Sequence, residues 1–101
     1  MPKVHLLNTG YIGDGVASSV SLIEADGALV VVDPGMVRTQ GAILDPIGRL
    51  GYRPEEVTDV IISHHHPDHT MNIALFRNAS VHDHWATYRE DRWDSRSAEG
   101  L

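Results

Sequence analysis

No cysteine occurs among the 101 residues. Disulfide bonds, iron–sulfur clusters, cysteine nucleophiles and thiolate zinc sites are therefore excluded for this chain. Any metal ion must be bound by imidazole and carboxylate groups, which suit zinc, iron, manganese and nickel. The charged fraction of 22% and the apolar fraction of 42% are ordinary for a globular protein. The length allows one domain at most.

Lysine is also scarce, since Lys3 is the only one, and the net charge is −6 with histidine neutral. This balance argues against a surface for nucleic acid or anionic membranes, because such surfaces need a basic patch. It does not exclude a nuclease whose cations are bound metal ions. No apolar run is long enough to cross a bilayer, and the N-terminus has no apolar signal core. We therefore expect a cytoplasmic protein with no membrane partner.

Strand-like segments occupy the first third of the chain. Residues 4–7, residues 16–24 and Ala28–Val32 are predicted strands, and the Asp-Gly pair at 26–27 predicts a hairpin between the last two. The run Ala28–Val32 is continuously apolar, which predicts a strand buried on both faces.

Helices and strands are then expected to alternate. Apolar residues at helical spacing over 43–50 predict a helix that Gly51 ends and that either starts or kinks at Pro46. The remaining expectations are a turn at 54–57, a buried strand at 59–63, a short helix at 71–76, a strand at 79–81, a last helix with Trp85, Tyr88 and Arg92 on one side, and a frayed tail from Ser95. This order predicts an α/β fold, a mixed sheet covered by helices.

Three consecutive histidines follow the predicted strand at 59–63, at the sheet edge that active sites of α/β proteins favour. Because side chains alternate along an extended chain, His64 and His66 should point one way and His65 the other. Pro67 should keep His66 extended, which aligns that pair.

Two further ligands come directly after Pro67. The turn at the proline lets Asp68 and His69 face the same space as the first pair. Two ligand pairs in a single loop are the arrangement expected for two metal ions that share one pocket. The alternative is a histidine-rich loop or tag remnant, but the run is internal and is interrupted by Pro67 and Asp68.

Such a centre would hydrolyse its substrate without a side-chain nucleophile. A bound metal lowers the pKa of its water from 15.7 to roughly 7, which gives hydroxide near neutral pH. Asp68 is the candidate catalytic residue, because it could bind one metal and also orient that hydroxide.

The pattern His64-x-His66-x-Asp68-His69 is similar to the H-x-H-x-D-H signature of metallo-β-lactamase-fold hydrolases. The run that ends in Asp33-Pro34-Gly35 resembles that family's earlier motif. The resemblance implies that His64 and His66 bind the first metal ion and that Asp68 and His69 bind the second, with Zn2+ expected and iron or manganese as alternatives. It also implies that Asp33 buttresses the histidine loop, although Asp-Pro-Gly can equally be a simple turn.

The resemblance extends over roughly residues 4 to 85 and reaches only part of the family's fold. That fold is an αβ/βα sandwich of two similar halves, and the second half supplies further ligands. We therefore expect residues 1–101 to be the N-terminal half of such a domain. Thr70-Met71-Asn72 stands where family members often have a small residue and a glycine.

Other candidate positions have simpler interpretations. His82 and His84 form a second H-x-H pattern, which we interpret as solvated histidines at a strand end, with metal contact as the alternative. His5 is expected in a strand or the core. The glycines at 10–15 do not have the register of a phosphate loop.

The leading hypothesis is a metal-dependent hydrolase of a small-molecule ester, thioester, lactone, amide or phosphodiester. Thioester or lactone hydrolysis and phosphodiester cleavage rank above β-lactam hydrolysis. The rival hypothesis is a non-catalytic metal-binding fragment or assembly component that needs a partner to complete the site. An uncovered sheet face would then favour a homodimer. A third interpretation is a truncated chain whose activity belongs to a longer protein.

Overall fold

Nine short strands, two α-helices and two 3₁₀ turns lie within residues 2–95, the part of the chain that the structure, a computed structural model, describes. The strands are β1 (Lys3–Asn8), β2 (Tyr11–Ile12), β3 (Val16–Ala17), β4 (Val20–Ala25), β5 (Ala28–Val32), β6 (Asp59–Ile61), β7 (Ser80–His82), β8 (Ala86–Arg89) and β9 (Arg92–Ser95). The α-helices are α1 (Gly41–Arg49) and α2 (Pro67–Thr70), and 3₁₀ turns lie at Pro54–Glu56 and Ile73–Leu75.

Seven of the strands form one mixed sheet in the order β1-β4-β5-β6-β7-β8-β9. β5, β6 and β7 are parallel, and the outer pairs on both sides are antiparallel. Parallel neighbours need a crossover, and α1 and α2 provide the two crossovers. The predicted hairpin between β4 and β5 is confirmed, with Gly27 at φ 74° in its turn. β2 and β3 pair only with each other.

Helix α1 confirms the helical spacing in the sequence. Ile43 and Ile47 are fully buried one turn apart, and Gly51 follows the helix at φ 90°, a conformation that glycine adopts without strain. The helix begins at Gly41, so Pro46 lies inside it.

One face of the sheet forms the core. Leu22, Val31 and Val60 are fully buried there and cluster with α1 and with Phe76. On the opposite face, alternation places Val4 beside Ile23, Val30 and Asp59, and Leu6 beside Ser21, Val32, Ile61 and His82. We call these two rows the open face.

The prediction that β5 and the 59–63 strand are buried on both faces is wrong. Leu29 and Val31 are buried, whereas Val30 is only partly covered and Ile61 is 41% exposed. The apolar run is continuous because both faces are hydrophobic. Among residues 2–95, the apolar cluster that holds α1 covers only one of them.

The predicted last helix is also wrong, because β8 and β9 form a hairpin. Tyr88 pairs with Trp93 across the hairpin, and their rings meet edge to face at 4.7 Å. Such cross-strand aromatic pairs stabilise sheets. Glu90 occupies the turn at φ 55°, a conformation usually signalled by glycine or asparagine, so the sequence carries no ordinary hairpin signal.

The expected helix at 71–76 is divided. α2 starts earlier, at Pro67, and the 3₁₀ turn Ile73–Leu75 follows it. Asn72 leaves helical geometry at φ −111° and ψ 21°, and its side chain donates to the carbonyl of Gly35 at 2.8 Å. Of the tail expected to fray, Ser95 ends β9 and residues 96–101 lie outside the described residues. In the described part of the chain, no helix is both long and apolar enough to cross a membrane.

Gly35 allows the exit of β5 to pack against the start of α2. A Cβ at Gly35 would lie 1.9 Å from the carbonyl oxygen of Asp68. We therefore expect Gly35→Ala to lower the free energy of unfolding by about 1–3 kcal/mol, because the two segments must separate. Urea unfolding measures this change.

Gly48→Ala is the matched control, since a Cβ there meets nothing within 4 Å. It should raise stability by about 0.5–1 kcal/mol, because alanine favours a helix interior. If Gly35→Ala is as stable as the wild type, the close packing of the two segments is not real.

Candidate functional site

Three imidazoles lie together where the loop after β6 leads into α2: His64 and His66 in the loop and His69 in the helix. The ring centroids of His64 and His66 are 4.8 Å apart, and those of His64 and His69 are 3.9 Å apart. His66 is extended at φ −97° and ψ 143°, as a residue before proline should be. His65 points elsewhere, to Asp83. The structure therefore has the alternation that the sequence predicts.

Asp33 connects the end of β5 to both ends of the histidine loop, by which we mean residues 63–69. It is buried, and its Oδ1 accepts from the Ser63 backbone N–H at 2.7 Å. Its Oδ2 accepts from the Ser63 hydroxyl at 2.6 Å and lies 3.0 Å from Nδ1 of His69. The residue also makes a turn, at φ 53°. Asp33 therefore does what both interpretations from the sequence describe. It forms a turn, and the turn directs its carboxylate toward the histidine loop.

Asp68 and His69 face each other at the start of α2. The Nε2 atom of His69 lies 3.3 Å from Oδ2 of Asp68. A carboxylate only accepts, so the Asp33 contact places a hydrogen on Nδ1 of His69. In a neutral ring, Nε2 then carries the lone pair that a metal ion would bind.

A groove of about 460 Å³ runs beside this pair. Asp68 and His69 line one side of it, and the β2–β3 hairpin lines the other. The hairpin exposes apolar side chains, with Tyr11 46% exposed and Ile12 89% exposed. The groove therefore combines polar groups that can bind a cation with an apolar wall.

The four predicted ligands are of the right chemical kind for zinc, because imidazole and carboxylate are its usual protein ligands when cysteine is absent. Within residues 2–95, however, no three histidine, aspartate or glutamate side chains are grouped so that they could jointly hold a metal ion. The structure brings the rings of His64, His66 and His69 together and pairs His69 with Asp68, but their donor atoms do not converge on a single point.

Two functional neighbours of the loop were missed from the sequence, Ser63 and Asp83. Ser63 bonds Asp33 and also lies 3.1 Å from Nδ1 of His64. Asp83 lies inside the His-Asp-His pattern at 82–84, for which the sequence analysis considered only the two histidines. Its position between two candidate ligands was the available signal.

Asp83 is a buried carboxylate with a full set of partners. Oδ1 accepts from the backbone N–H groups of Trp85 and Ala86, both at 2.8 Å, and Oδ2 accepts from the Tyr88 hydroxyl at 2.7 Å and contacts Nε2 of His65. Burial alone would raise the pKa of this carboxyl. The hydrogen bonds, led by those from Tyr88 and His65, outweigh burial and hold the pKa of Asp83 well below its usual range.

The remaining histidines lie in strands of the sheet or directly beside them. His82 has Asp59 at 2.8 Å from Nε2 and Thr87 at 3.1 Å from Nδ1, so both ring nitrogens already have partners. His84 is exposed and lies edge-on to Trp85. His5 lies in β1, half-buried, and bonds Glu24 at 2.5 Å. The expectation that His5 lies in a strand is confirmed.

The depressed pKa of Asp83 predicts a pH dependence of stability. A carboxyl whose folded pKa is lowered contributes stability above its unfolded pKa of about 3.9, and this contribution is lost as the pH falls further. Asp83→Asn should therefore destabilise the protein most at about pH 6 and measurably less at about pH 3, because the contribution of Asp83 begins to shrink below the unfolded pKa and disappears only as the pH falls through the folded pKa. Urea unfolding in chelator at the two pH values tests this prediction.

Asp26→Asn removes the same charge from the exposed turn between β4 and β5 and serves as the control. Its effect should be small at both pH values. An Asp83→Asn penalty that does not change with pH would contradict the prediction.

The model of the Metallo-beta-lactamase superfamily matches residues 13–101 of this chain. A Mycobacterium tuberculosis protein named "probable metallo-hydrolase" is 33% identical over 104 residues, which covers 79% of this chain and 34% of the relative. Like that relative, the other curated relatives are much longer, and the chain spans only 25% to 36% of those it matches first.

Solved structures show the same fold. A Thermotoga maritima protein with a provisional metallo-beta-lactamase assignment superposes with a TM-score of 0.70 at 30% identity, covering 79% of this chain and 42% of that protein. The dizinc quorum-quenching lactonase AidC superposes with a TM-score of 0.51 at 26% identity, covering 65% of this chain and 26% of that enzyme. The sheet, the histidine loop and these matches agree: the chain belongs to the metallo-beta-lactamase superfamily.

Proposed function

We propose that this chain carries part of the metal centre of a metal-dependent hydrolase. In this proposal His64 and His66 hold one metal ion and Asp68 and His69 hold a second, with zinc as the expected metal. The matched family and the name of the mycobacterial relative support hydrolysis in general. Because the chain spans so little of its relatives' length, the complete reaction belongs to the proposal.

The contact between His69 and Asp68 is the observation that carries the proposal. Nε2 and Oδ2 are 3.3 Å apart, and with Nδ1 bonded to Asp33 both would present lone pairs to each other. A cation placed between these two atoms would replace their mutual repulsion with attraction to both. Two ligand atoms about 2.0–2.2 Å from a tetrahedral zinc ion lie about 3.3–3.6 Å apart. The observed separation is therefore one that a single zinc ion could span.

A bound metal ion would supply Lewis acidity and an acidified water near neutral pH. The chain's own residues would do the rest. Asp33 fixes the hydrogen on Nδ1 of His69 and so keeps Nε2 available as a ligand. Asp68 presents a carboxylate to the groove, where it can orient the attacking water.

The substrate class follows from the wall of the groove. Tyr11 and Ile12 offer apolar surface to a substrate held at Asp68 and His69. This favours an ester, thioester or lactone with an apolar group over a phosphodiester or β-lactam.

Metal stoichiometry tests the proposal directly. Purified chain equilibrated with zinc and freed of excess should hold about two ions, and the double variant His66→Ala, Asp68→Ala should lose them, because it removes one ligand from each pair. Elemental analysis gives the count, and a panel of an aryl ester, an acyl thioester, an acyl lactone and an aryl phosphodiester gives the rates.

The matched control is the double variant His84→Ala, Asp26→Ala, which makes the same two chemical changes at exposed positions. It should retain the metal. Wild-type chain that binds no zinc would contradict the assignment of a metal centre to these residues.

A second candidate function is a metal-binding component without turnover, completed by another polypeptide. Two observations favour it: no three donors among residues 2–95 converge, and the open face is apolar. Leu6 on this face is 61% exposed, and Val30, Ile61 and His82 on the same face line a cavity of about 530 Å³. We propose a homodimer through this face as the form of that component.

The oligomeric state, measured by light scattering with and without zinc, tests the second candidate. The wild type should be a dimer, and the double variant Leu6→Lys, Ile61→Lys should be a monomer, because burying two ammonium groups in the interface is costly. Leu50→Lys, a comparably exposed change beyond the end of α1, should leave the dimer intact. A monomeric wild type would rule out the homodimer.

A further inference from the structure

His65 lies on the reverse side of the histidine loop. Its neighbours His64 and His66 meet each other at 4.8 Å between ring centroids, whereas Nε2 of His65 contacts Oδ2 of Asp83. Its ring also lies over Trp85, with 6.1 Å between centroids and 24° between planes. His65 therefore belongs to a different set of contacts from the candidate ligands.

The ends of the loop are fastened by Asp33, but its middle is not. Asp33 binds Ser63 at the start of the loop and His69 at its end. Among residues 2–95, the contact with Asp83 is the side-chain hydrogen bond that links residues 64–66 to the connection between β7 and β8. At its far end the carbonyl of His66 accepts from the backbone N–H of His69 at 2.8 Å and from the Thr70 hydroxyl at 3.3 Å, so the orientation of the residues before His66 rests on His65.

Asp83 is a rigid partner. Its side chain is 2% exposed, and the two backbone N–H groups and the Tyr88 hydroxyl hold both of its oxygens in place on the β7–β8 connection. Since a carboxylate only accepts hydrogen bonds, His65 must donate from Nε2. The His65 side chain is 49% exposed, so its substitution does not disturb the core.

Fixing His65 fixes its two neighbours. His66 is extended, so its side chain points away from that of His65, and the ring of His64 meets the ring of His66; a His65 ring held toward Asp83 therefore keeps both neighbours on the other side. We propose that His65 and Asp83 are a positioning pair that holds His64 and His66 toward the metal pocket. This inference rests on the proposed function, because it takes His64 and His66 as ligands.

Cobalt binding tests the pair, with Co²⁺ as the probe and its visible absorption as the report on ligand geometry. His65→Ala should weaken Co²⁺ binding about tenfold and change the absorption spectrum. His65→Gln should restore both, because the glutamine amide nitrogen can donate to Asp83 from nearly the same place. Asp83→Ala should behave as His65→Ala, since it removes the carboxylate that accepts from His65.

His84→Ala is the matched control, an exposed histidine near the same carboxylate, and it should bind Co²⁺ as the wild type does. If the wild type binds Co²⁺ and His65→Ala does so with the same affinity and spectrum, the positioning pair is refuted while the proposed function stands.

If the wild type binds no Co²⁺, the proposed function fails, and a metal-free measurement decides the pair. Nuclear magnetic resonance of the chain should then show hydrogen on Nε2 of His65. Backbone order at residues 64–66 should fall in His65→Ala but not in His65→Gln or His84→Ala. Equal order in all of these proteins would overturn the inference.

Discussion

The carboxylate of Asp33 is the contact on which the geometry of the candidate site depends. It lies at the end of β5 and binds Ser63, directly after β6, and His69, in α2. Because β5 and β6 are parallel neighbours, their carboxyl ends meet at one edge of the sheet, and a single side chain can reach both. The left-handed turn at Asp33 and the absence of a side chain at Gly35 allow this approach. A buried carboxylate that is fully bonded is stable there, whereas an unpaired one would be costly.

The histidine loop is thus held from two sides by two carboxylates. Asp33 acts on the side of the candidate ligands and Asp83 on the reverse side. Between them the loop has no regular secondary structure, so its conformation comes from these side-chain contacts rather than from a backbone ladder. This arrangement suits a site that must present several imidazoles at once, because the ligands need to be oriented before the metal ion arrives.

The sheet itself is unequal in its two faces. The face toward α1 is a close-packed core with Val31, Val60 and Phe76 fully buried, and the open face exposes Val4, Leu6 and Ile61. An apolar face of this extent is characteristic of a surface that another element covers. The chain matches only a fraction of its relatives' length, and among residues 2–95 no three ligand side chains are grouped so that they could jointly hold a metal ion.

By itself, the sequence determined the strands β4 and β5 with their Asp-Gly hairpin, helix α1 and the alternation in the histidine loop. These features follow from local patterns, because side chains alternate every two residues in an extended chain and return to the same face about every four residues in a helix. It also identified Asp33 and the four candidate ligands, through their spacing and through a family resemblance that the family match bears out. It could not determine that one face of β5 is only partly covered, since an apolar run looks the same with or without a covering layer. It mistook β8 and β9 for a helix, because cross-strand pairing of Tyr88 with Trp93 and a turn at Glu90 leave no local signal. Only the tertiary structure brought Asp83 to His65, because residues 18 positions apart meet through the pairing of β6 with β7.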